Sequence, residues 1–217
     1  MSDRQQILRM VADAILLLPA IQVVRVGIDG VDGAGKSVFG DELAQLLAAA
    51  GRGIIRASAD SFHNPRVLRY RRGRQSPEGY FSDSYDYEQM KAILLDPLSR
   101  GGSGRYRSAA FDHRSDQPVT IPEAQAAPGD ILVFDGIFLH RPELRAYWDF
   151  SVFLEVDFAL SIPRCAERDG TSPDPYAPGN RRYVEGQLLY LRTCQPWRHA
   201  SVVINNETLE SPVIIAR

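Results

Sequence analysis

The sequence predicts an α/β fold, a doubly wound and mostly parallel sheet of about five strands with helices on both faces. Apolar, β-branched runs alternate along the chain with segments whose apolar residues recur at helical spacing, the pattern of a parallel sheet with crossover helices. Several of these runs are almost continuously apolar, as expected for strands buried on both faces. At 217 residues and 24.2 kDa, the chain fits one core, and we interpret residues 1–217 as a single domain.

The N-terminal part of the chain predicts helix, strand, loop, helix and strand in that order. The first helix ends at Pro19, and its apolar residues share one face: Ile7, Val11, Ala14, Ile15 and Leu18. Residues 21–29 form the first predicted strand, and a glycine-rich loop leads from it into a second helix. The apolar face of that helix consists of Phe39, Leu43, Leu46, Leu47 and Ala50. Residues 53–60 are the second predicted strand.

The remainder of the chain continues the alternation. A helix is predicted at 86–98, with Tyr87, Met90, Leu94 and Leu98 turned inward. The other predicted elements are strands at 129–139 and 149–157, helices at 158–169 and 181–194, and late strands at 200–205 and 212–216. Proline and glycine punctuate residues 170–180 and exclude a regular element between the last two helices.

Composition and charge narrow the function classes. The chain is 44% hydrophobic and 24% charged, which is typical of a soluble globular protein. A formal net charge of -2 provides no general attraction for nucleic acid or an anionic membrane, so neither is expected as a partner. The longest apolar stretch, residues 14–21, is interrupted by proline, and no secretion signal is recognisable, so we expect a cytoplasmic protein. Cys165 and Cys194 lack metal-site or disulfide spacing and are expected to be plain thiols.

The glycine-rich loop matches the phosphate-binding pattern GxxxxGK[ST] between a strand and a helix. Glycines let successive backbone N–H groups point at phosphate oxygens, and the new helix adds the positive end of its dipole. Lys36 can reach the terminal phosphates and Ser37 can ligate Mg²⁺. The candidate nucleotide-binding residues are Gly30, Asp32, Gly33, Ala34, Gly35, Lys36, Ser37 and Val38. The expected ligand is a nucleoside triphosphate with Mg²⁺.

Asp60 stands at the end of the second predicted strand. Because the carboxyl ends of neighbouring parallel strands share one crevice, we expect its side chain to face the phosphate-binding loop. A carboxylate there can orient and deprotonate an acceptor hydroxyl and contact the metal. The alternative is an Asp that caps a turn after the strand.

Residues 66–74 carry five arginines: Arg66, Arg69, Arg71, Arg72 and Arg74. One interpretation is a solvated basic loop. The other is an electropositive rim around a phosphate-bearing substrate, since guanidinium groups present planar donor pairs to phosphate oxygens.

Five motifs in a fixed order resemble the uridine kinase family, within the wider group that includes phosphoribulokinase and pantothenate kinase. They are GVDGAGKS at 30–37, ADSFH at 59–63, DSYDYEQM at 83–90, VFDGIFL at 133–139 and RCAERDG at 164–170. The resemblance covers about residues 22–195. It implies a P-loop kinase fold with a lid, in which the γ-phosphoryl group of ATP passes to a small-molecule hydroxyl. For uridine kinases this is the 5'-hydroxyl of uridine or cytidine.

The resemblance also implies roles for individual residues. Asp60 matches the catalytic base, and Asp83 matches the acid that holds the ribose hydroxyls. Tyr106 and His113 resemble the residues that flank the pyrimidine. Arg164 and Arg168 match lid arginines that act in catalysis with Lys36; the alternative is solvent-facing arginines paired with Glu167 or Asp169. Asp135 matches an acidic residue near the P-loop, which gives Ser37, Asp60 and Asp135 as candidate metal ligands.

Two segments follow from this comparison, residues 62–118 as the acceptor-binding region and residues 164–182 as the lid. The acceptor region departs from the family pattern in three places. Arg107 follows Tyr106 where Asp is usual, the arginine-rich stretch 66–80 is longer, and His63 stands where Tyr is common. His63, His113 and Arg66 are further candidate substrate contacts, although the two histidines fit structural roles equally well. The additional arginines suit an acceptor that already carries a phosphate.

The sequence leaves three alternatives to a uridine or cytidine kinase. The same chemistry can act on pantothenate, a sugar phosphate or another nucleoside. A GTP switch needs a guanine-reading NKxD motif after a strand, and residues 202–209 lack its Lys and Asp. A nucleic-acid-binding module is the weakest alternative, because the chain is acidic and has one short basic cluster. Related enzymes are often oligomers, so a homo-oligomer is compatible with this interpretation.

Overall fold

The computed structural model describes residues 3–216, so residues 1, 2 and 217 of the predicted single domain lie outside the described part. In chain order the strands are β1 (Val24–Gly30), β2 (Ile54–Ser58), β3 (Arg105–Tyr106), β4 (Phe111–Asp112), β5 (Gln117–Pro118), β6 (Ala124–Gln125), β7 (Ile131–Asp135), β8 (Phe150–Glu155), β9 (Val202–Asn205) and β10 (Val213–Ala216). The α-helices are α1 (Asp3–Leu16), α2 (Lys36–Ala49), α3 (Arg66–Arg69), α4 (Pro77–Asp83), α5 (Tyr87–Met90), α6 (Phe158–Asp169) and α7 (Arg181–Cys194). A π-helical segment, Lys91–Leu95, continues α5.

The central sheet has the order β10-β9-β8-β1-β7-β2. Five of its strands are parallel, which confirms the predicted doubly wound, mostly parallel sheet. The sixth strand, β10, pairs antiparallel with β9 at one edge. The connection 206–212 is too short for a parallel crossover, which needs a dozen or more residues, so the chain can only turn back on itself there.

Helices cover both faces of the sheet because alternate side chains of each buried strand point to opposite sides. In β7, Ile131 and Val133 join the core that contains α1 and α2, whereas Leu132 and Phe134 join the core that contains α4, α5 and the end of α7. All five residues of β7 are buried. The continuous apolar character of the sequence there reflects this two-sided burial.

The predicted helices at 158–169 and 181–194 match α6 and α7 in their bounds. The helix predicted at 86–98 is shorter, because α5 passes into the π-helical segment and the chain then turns at Pro97. Residues 170–180 contain no helix or strand, as the prolines and glycines predict. Within residues 3–216, no helix combines the length and the apolar character that crossing a membrane requires.

A buried carboxylate joins β1 to α7. The side chain of Asp29 has no solvent exposure and accepts a hydrogen bond from the hydroxyl of Tyr190. It also contacts His140 through Nδ1 at 2.7 Å, and the other ring nitrogen of His140 lies 3.0 Å from Ser151 Oγ on β8. Burial and the neighbouring Asp29 carboxylate raise the pKa of Tyr190 well above its ordinary value, so the hydroxyl remains a donor. This network fixes α7 against the end of β1.

We expect Tyr190→Phe to destabilise the fold by about 1–3 kcal/mol, because a buried carboxylate loses a hydrogen-bond donor. Urea unfolding monitored by circular dichroism measures the change in the free energy of unfolding. Tyr176→Phe is the matched control, since Tyr176 is 91% exposed. Equal stability of the two variants would contradict a structural role for the Asp29 network.

Candidate active site

The phosphate-binding loop lies between β1 and α2, as the motif requires. Gly33 and Gly35 adopt φ angles of 75° and 86°, which favour glycine, and a Cβ on Gly33 would lie 2.1 Å from the carbonyl oxygen of Ser161. The loop leads into α2, and the N-terminus of a helix favours an anion because its first N–H groups have no partner within the helix and lie at the positive end of the helix dipole. Lys36 Nζ donates to the carbonyl oxygen of Val31 at 2.8 Å, which folds the ammonium group over the loop.

A carboxylate from the neighbouring strand lies directly beside this loop. Asp135 ends β7, which separates β1 from β2 in the sheet. Its carboxylate accepts a hydrogen bond from Ser37 Oγ at 2.7 Å and pairs with Arg56 of β2 at 2.8 Å. The parallel strand order therefore brings a hydroxyl and a carboxylate together at one edge of the sheet. No group of three or more His, Cys, Asp or Glu residues with metal-binding geometry occurs within residues 3–216.

The first of two adjoining cavities has a volume of about 370 Å³ and is lined by the phosphate-binding loop. We call it the nucleotide cavity. Its lining includes Asp32, Gly33, Gly35, Lys36, Ser37, Val38, Asp60, Asp135, Arg164 and Arg168. The guanidinium of Arg164 donates to the carbonyl oxygens of Gly33 and Glu207, so it is held between the loop and the end of β9. Arg168 pairs with Asp169 at 2.8 Å. The structure thus brings both predicted lid arginines to this cavity.

The second cavity, of about 350 Å³, lies beside the first under the connection between α6 and α7. We call it the acceptor cavity. Four residues line both cavities: Asp32, Asp60, Tyr85 and Arg168. Asp60 is therefore located where the two spaces meet. Tyr85 OH lies 3.4 Å from Asp60 Oδ1, and burial followed by the nearby Asp60 raises the pKa of Tyr85 well above its ordinary value.

Aromatic and basic side chains form most of the remaining lining of the acceptor cavity. The rings of His63 and His113 lie 4.8 Å apart, and both residues line the cavity. Burial lowers the pKa of His63 below its ordinary value, so this ring is neutral at pH 7. Tyr80 donates to Asp32 Oδ2 at 2.6 Å, and Tyr183 packs edge-on against Tyr80. The cavity thus offers flat rings beside hydrogen-bonding groups.

Three predicted substrate residues lie outside both cavity linings. The carboxylate of Asp83 is 3% exposed and pairs with Arg71 at 2.5 Å and Arg72 at 2.9 Å. The Arg71 hydrogen bond, followed by that of Arg72, holds the pKa of Asp83 below its ordinary value. Tyr106 lies in β3 and packs against the core. Arg66 is exposed, and its guanidinium donates to the carbonyl oxygen of Arg114.

Sequence reasoning did not identify most of the acceptor-cavity lining, including Tyr80, Tyr85 and Arg182, and it named Arg69 only as one member of the arginine cluster. Two of them had a usable signal. Tyr85 lies within the DSYD motif, and Arg182 shares a helical face with Gly186 and Tyr190, both of which are buried. Arg69 belongs to the arginine cluster, but nothing in the sequence distinguishes it from its four neighbours.

Comparison with known proteins identifies the family. Residues 25–172 match the model of the phosphoribulokinase / uridine kinase family, and the chain belongs to it. Its members are small-molecule kinases that use ATP as the phosphoryl donor. Among curated proteins, none matches the chain significantly.

Several solved structures share the fold. A possible uridine kinase from Bacillus stearothermophilus is 23% identical, with a TM-score of 0.72, and the match covers 92% of this chain and 97% of that one. A candidate fructose transport system kinase from Silicibacter sp. TM1040 is 24% identical, with a TM-score of 0.66 and coverage of 90% and 95%. Phosphoribulokinase from Rhodobacter spheroides is 12% identical, with a TM-score of 0.58 and coverage of 86% and 70%.

We expect Lys36→Ala to weaken ATP binding at least about tenfold and to reduce turnover, because a charge-assisted contact to phosphate is lost. Calorimetric titration with Mg·AMP-PNP measures the affinity, and ADP release measures turnover. The only other lysine, Lys91, provides the matched control: it pairs with Glu88 and lines neither cavity. An unchanged affinity in Lys36→Ala would remove this lysine from nucleotide binding.

Proposed function

We propose that this protein transfers the γ-phosphoryl group of ATP to a hydroxyl of a small molecule, with Asp60 as the general base. One observation carries the proposal: Asp60 lines both the nucleotide cavity and the acceptor cavity. A carboxylate at such a junction can accept the proton of a hydroxyl while the oxygen attacks the phosphorus atom. The hydroxyl of Tyr85, 3.4 Å from Asp60 Oδ1, supports the orientation of that carboxylate.

Phosphoryl transfer depends mainly on positioning and on stabilising negative charge, since the transition state spreads charge over three oxygens. In this proposal, the loop N–H groups and Lys36 bind the phosphates. Arg164 and Arg168, which line the nucleotide cavity, provide further positive charge near the transferred group. Because Arg168 also lines the acceptor cavity, it contacts the space between donor and acceptor. Residues 164–182 act as a lid that excludes water, so that phosphoryl transfer to water is suppressed.

The residues beside the loop fit Mg²⁺. Mg²⁺ takes oxygen ligands and is commonly held by one or two carboxylates together with substrate phosphates and waters. Ser37 and Asp135, whose oxygens are 2.7 Å apart, offer a hydroxyl and a carboxylate of this kind, and Asp60 is a third candidate ligand in the same cavity. When bound, the ion neutralises charge on the β- and γ-phosphate oxygens.

Two classes of acceptor are candidates. Uridine and cytidine follow from the resemblance and from the solved structure described as a possible uridine kinase, and the rings of His63 and His113 offer surfaces for a base. The locations of Asp83 and Tyr106 outside the cavity lining weaken this candidate. A sugar, sugar phosphate, pantothenate or other nucleoside is the second class. It is supported by the arginines of the acceptor cavity and by the solved structure described as a candidate fructose transport system kinase.

We expect Asp60→Asn to reduce turnover about a hundredfold or more, because the amide cannot accept the hydroxyl proton. Nucleotide affinity should change less than about twofold, since the amide keeps the shape of the side chain and one oxygen that can still contact the metal. Coupled detection of ADP release gives turnover, with each acceptor that the wild-type protein uses. Asp13→Asn is the control, because Asp13 lies on an exposed position of α1. Turnover near the wild-type rate would exclude Asp60 as the base.

A further inference from the structure

Arg182 is a buried cation without a carboxylate partner among residues 3–216. The residue is 3% exposed, and its guanidinium donates to three main-chain carbonyl oxygens, those of Arg69 at 2.9 Å and of Gly73 and Ser76 at 3.2 Å. It also lies over the rings of Tyr70 and Tyr80. Burying a charge is costly unless an opposite charge accompanies it, and carbonyl dipoles compensate only in part. Since Arg182 lines the acceptor cavity, a ligand in that cavity can supply the missing charge.

A second guanidinium lines the same cavity. The side chain of Arg69 is 12% exposed and pairs with Asp116 at 3.0 Å through Nη2. Its Nε atom is buried and has no hydrogen-bond partner among the described residues. Arg69 and Arg182 both lie over the ring of Tyr70, at 5.7 and 4.9 Å from its centroid, so the two cations share one wall of the cavity.

The carboxylates and the guanidinium groups that line the acceptor cavity differ in whether they also line the nucleotide cavity. Two of its three carboxylates, Asp32 and Asp60, also line the nucleotide cavity, and the third, Asp169, is paired with Arg168. Arg69 and Arg182 line the acceptor cavity alone. A molecule in the acceptor cavity can therefore meet a proton acceptor, Asp60, where the cavity borders the nucleotide cavity, and two guanidinium groups on the wall beside Tyr70.

The other four arginines of the 66–74 cluster have different contacts and do not line the acceptor cavity. Arg66 donates to a carbonyl oxygen, Arg71 and Arg72 pair with Asp83, and Arg74 lies over the ring of Tyr70. The basic cluster is therefore divided, and one of its five members faces the cavity.

We propose that the acceptor is a small hydroxyl compound that carries an anionic group, a phosphate or a carboxylate, bound by Arg182 and Arg69 while its hydroxyl lies at Asp60. This inference rests on the proposed function and specifies its substrate class. Guanidinium groups suit the task because they bind both kinds of oxyanion through paired N–H donors. The cavity volume of about 350 Å³ is within the range of small-ligand pockets.

The first experiment compares matched acceptors that differ in the anionic group. ADP release from Mg·ATP is measured with fructose and fructose 6-phosphate, ribose and ribose 5-phosphate, and glycerol, glycerol 3-phosphate and glycerate, alongside uridine and cytidine. We expect kcat/KM to be at least about tenfold higher for the anionic member of the pair that is used. Comparison of the phosphorylated acceptors with glycerate, which carries a carboxylate, identifies which anionic group is bound. Efficient use of uridine, cytidine or a neutral sugar without such a preference would overturn the inference and leave the kinase function intact.

The second experiment assigns the preference to the two arginines. Arg182→Gln and Arg69→Gln should each lower kcat/KM for the anionic acceptor at least about tenfold more than they lower kcat/KM for its neutral counterpart. A purely structural role would lower both equally, which would contradict the proposal. Arg192→Gln is the matched control, because Arg192 is exposed on α7, lies outside the lid and lines neither cavity. Arg69→Gln decides the question if loss of the carbonyl contacts prevents Arg182→Gln from folding.

The third experiment detects the anion site without turnover. Inorganic phosphate is titrated into the protein saturated with Mg·AMP-PNP, which occupies the phosphate-binding loop, and the unfolding temperature is measured. We expect stabilisation of the wild type and Arg192→Gln, and at least about tenfold weaker apparent affinity in Arg69→Gln. Arginine-dependent stabilisation without turnover of any acceptor would support the anion site and count against the kinase function. The absence of both stabilisation and an anionic preference would overturn the inference.

Discussion

The buried carboxylate of Asp29 is the constraint on which the geometry of both cavities depends. It lies one residue before the first glycine of the phosphate-binding loop and accepts a hydrogen bond from the main-chain N–H of Gly30 at 2.7 Å. The same carboxylate binds Tyr190 of α7 and His140, which follows β7. A buried carboxyl group tolerates little displacement, because the loss of a hydrogen-bond donor would leave one of its oxygens desolvated and without a partner. The loop that binds phosphate and the helix that borders the acceptor cavity therefore share one fixed reference point.

Helix α7, which Tyr190 attaches to Asp29, contacts the phosphate-binding loop through one side chain and lines the acceptor cavity through another. Gln187 accepts a hydrogen bond from the main-chain N–H of Asp32 in the phosphate-binding loop at 2.6 Å. Further toward the N-terminus, Arg182 donates to the carbonyl oxygens of the 69–76 segment. Because these residues and Tyr190 lie on one rigid helix, the distance between the nucleotide loop and the wall of the acceptor cavity is set by helix geometry. This arrangement suits a reaction in which positioning provides most of the rate enhancement.

The amino-acid sequence predicted those parts of the site whose geometry is determined by a local sequence pattern. The GxxxxGK[ST] spacing predicted the loop, and the rule that parallel strands share one crevice at their carboxyl ends predicted that Asp60 would face it. The position of Asp135 beside the loop was implied by the family resemblance. The location of Asp83 outside the cavity linings could not be predicted from a local sequence pattern. Its partners, Arg71 and Arg72, precede it by more than two helical turns of sequence and lie in an irregular segment. No periodic pattern in the sequence therefore indicates that they form ion pairs with Asp83. The antiparallel direction of β10 was likewise decided by the length of a connection. Roles carried over from a family are least secure where such irregular segments differ.

The arginine-rich segment also shows why charge alone is a poor guide to a binding surface. Arg71 and Arg72 are about half exposed and hold a carboxylate that is almost fully buried, so they stabilise the end of α4. Arg69 instead turns inward, where Asp116 pairs with one edge of its guanidinium and leaves Nε unsatisfied. Its carbonyl oxygen, and those of Gly73 and Ser76, are in turn bound by Arg182 from α7. The segment is thus attached to α4 through Asp83 and to α7 through Arg182, so a change in the angle of α7 at the lid would move Arg69 and Arg182 together.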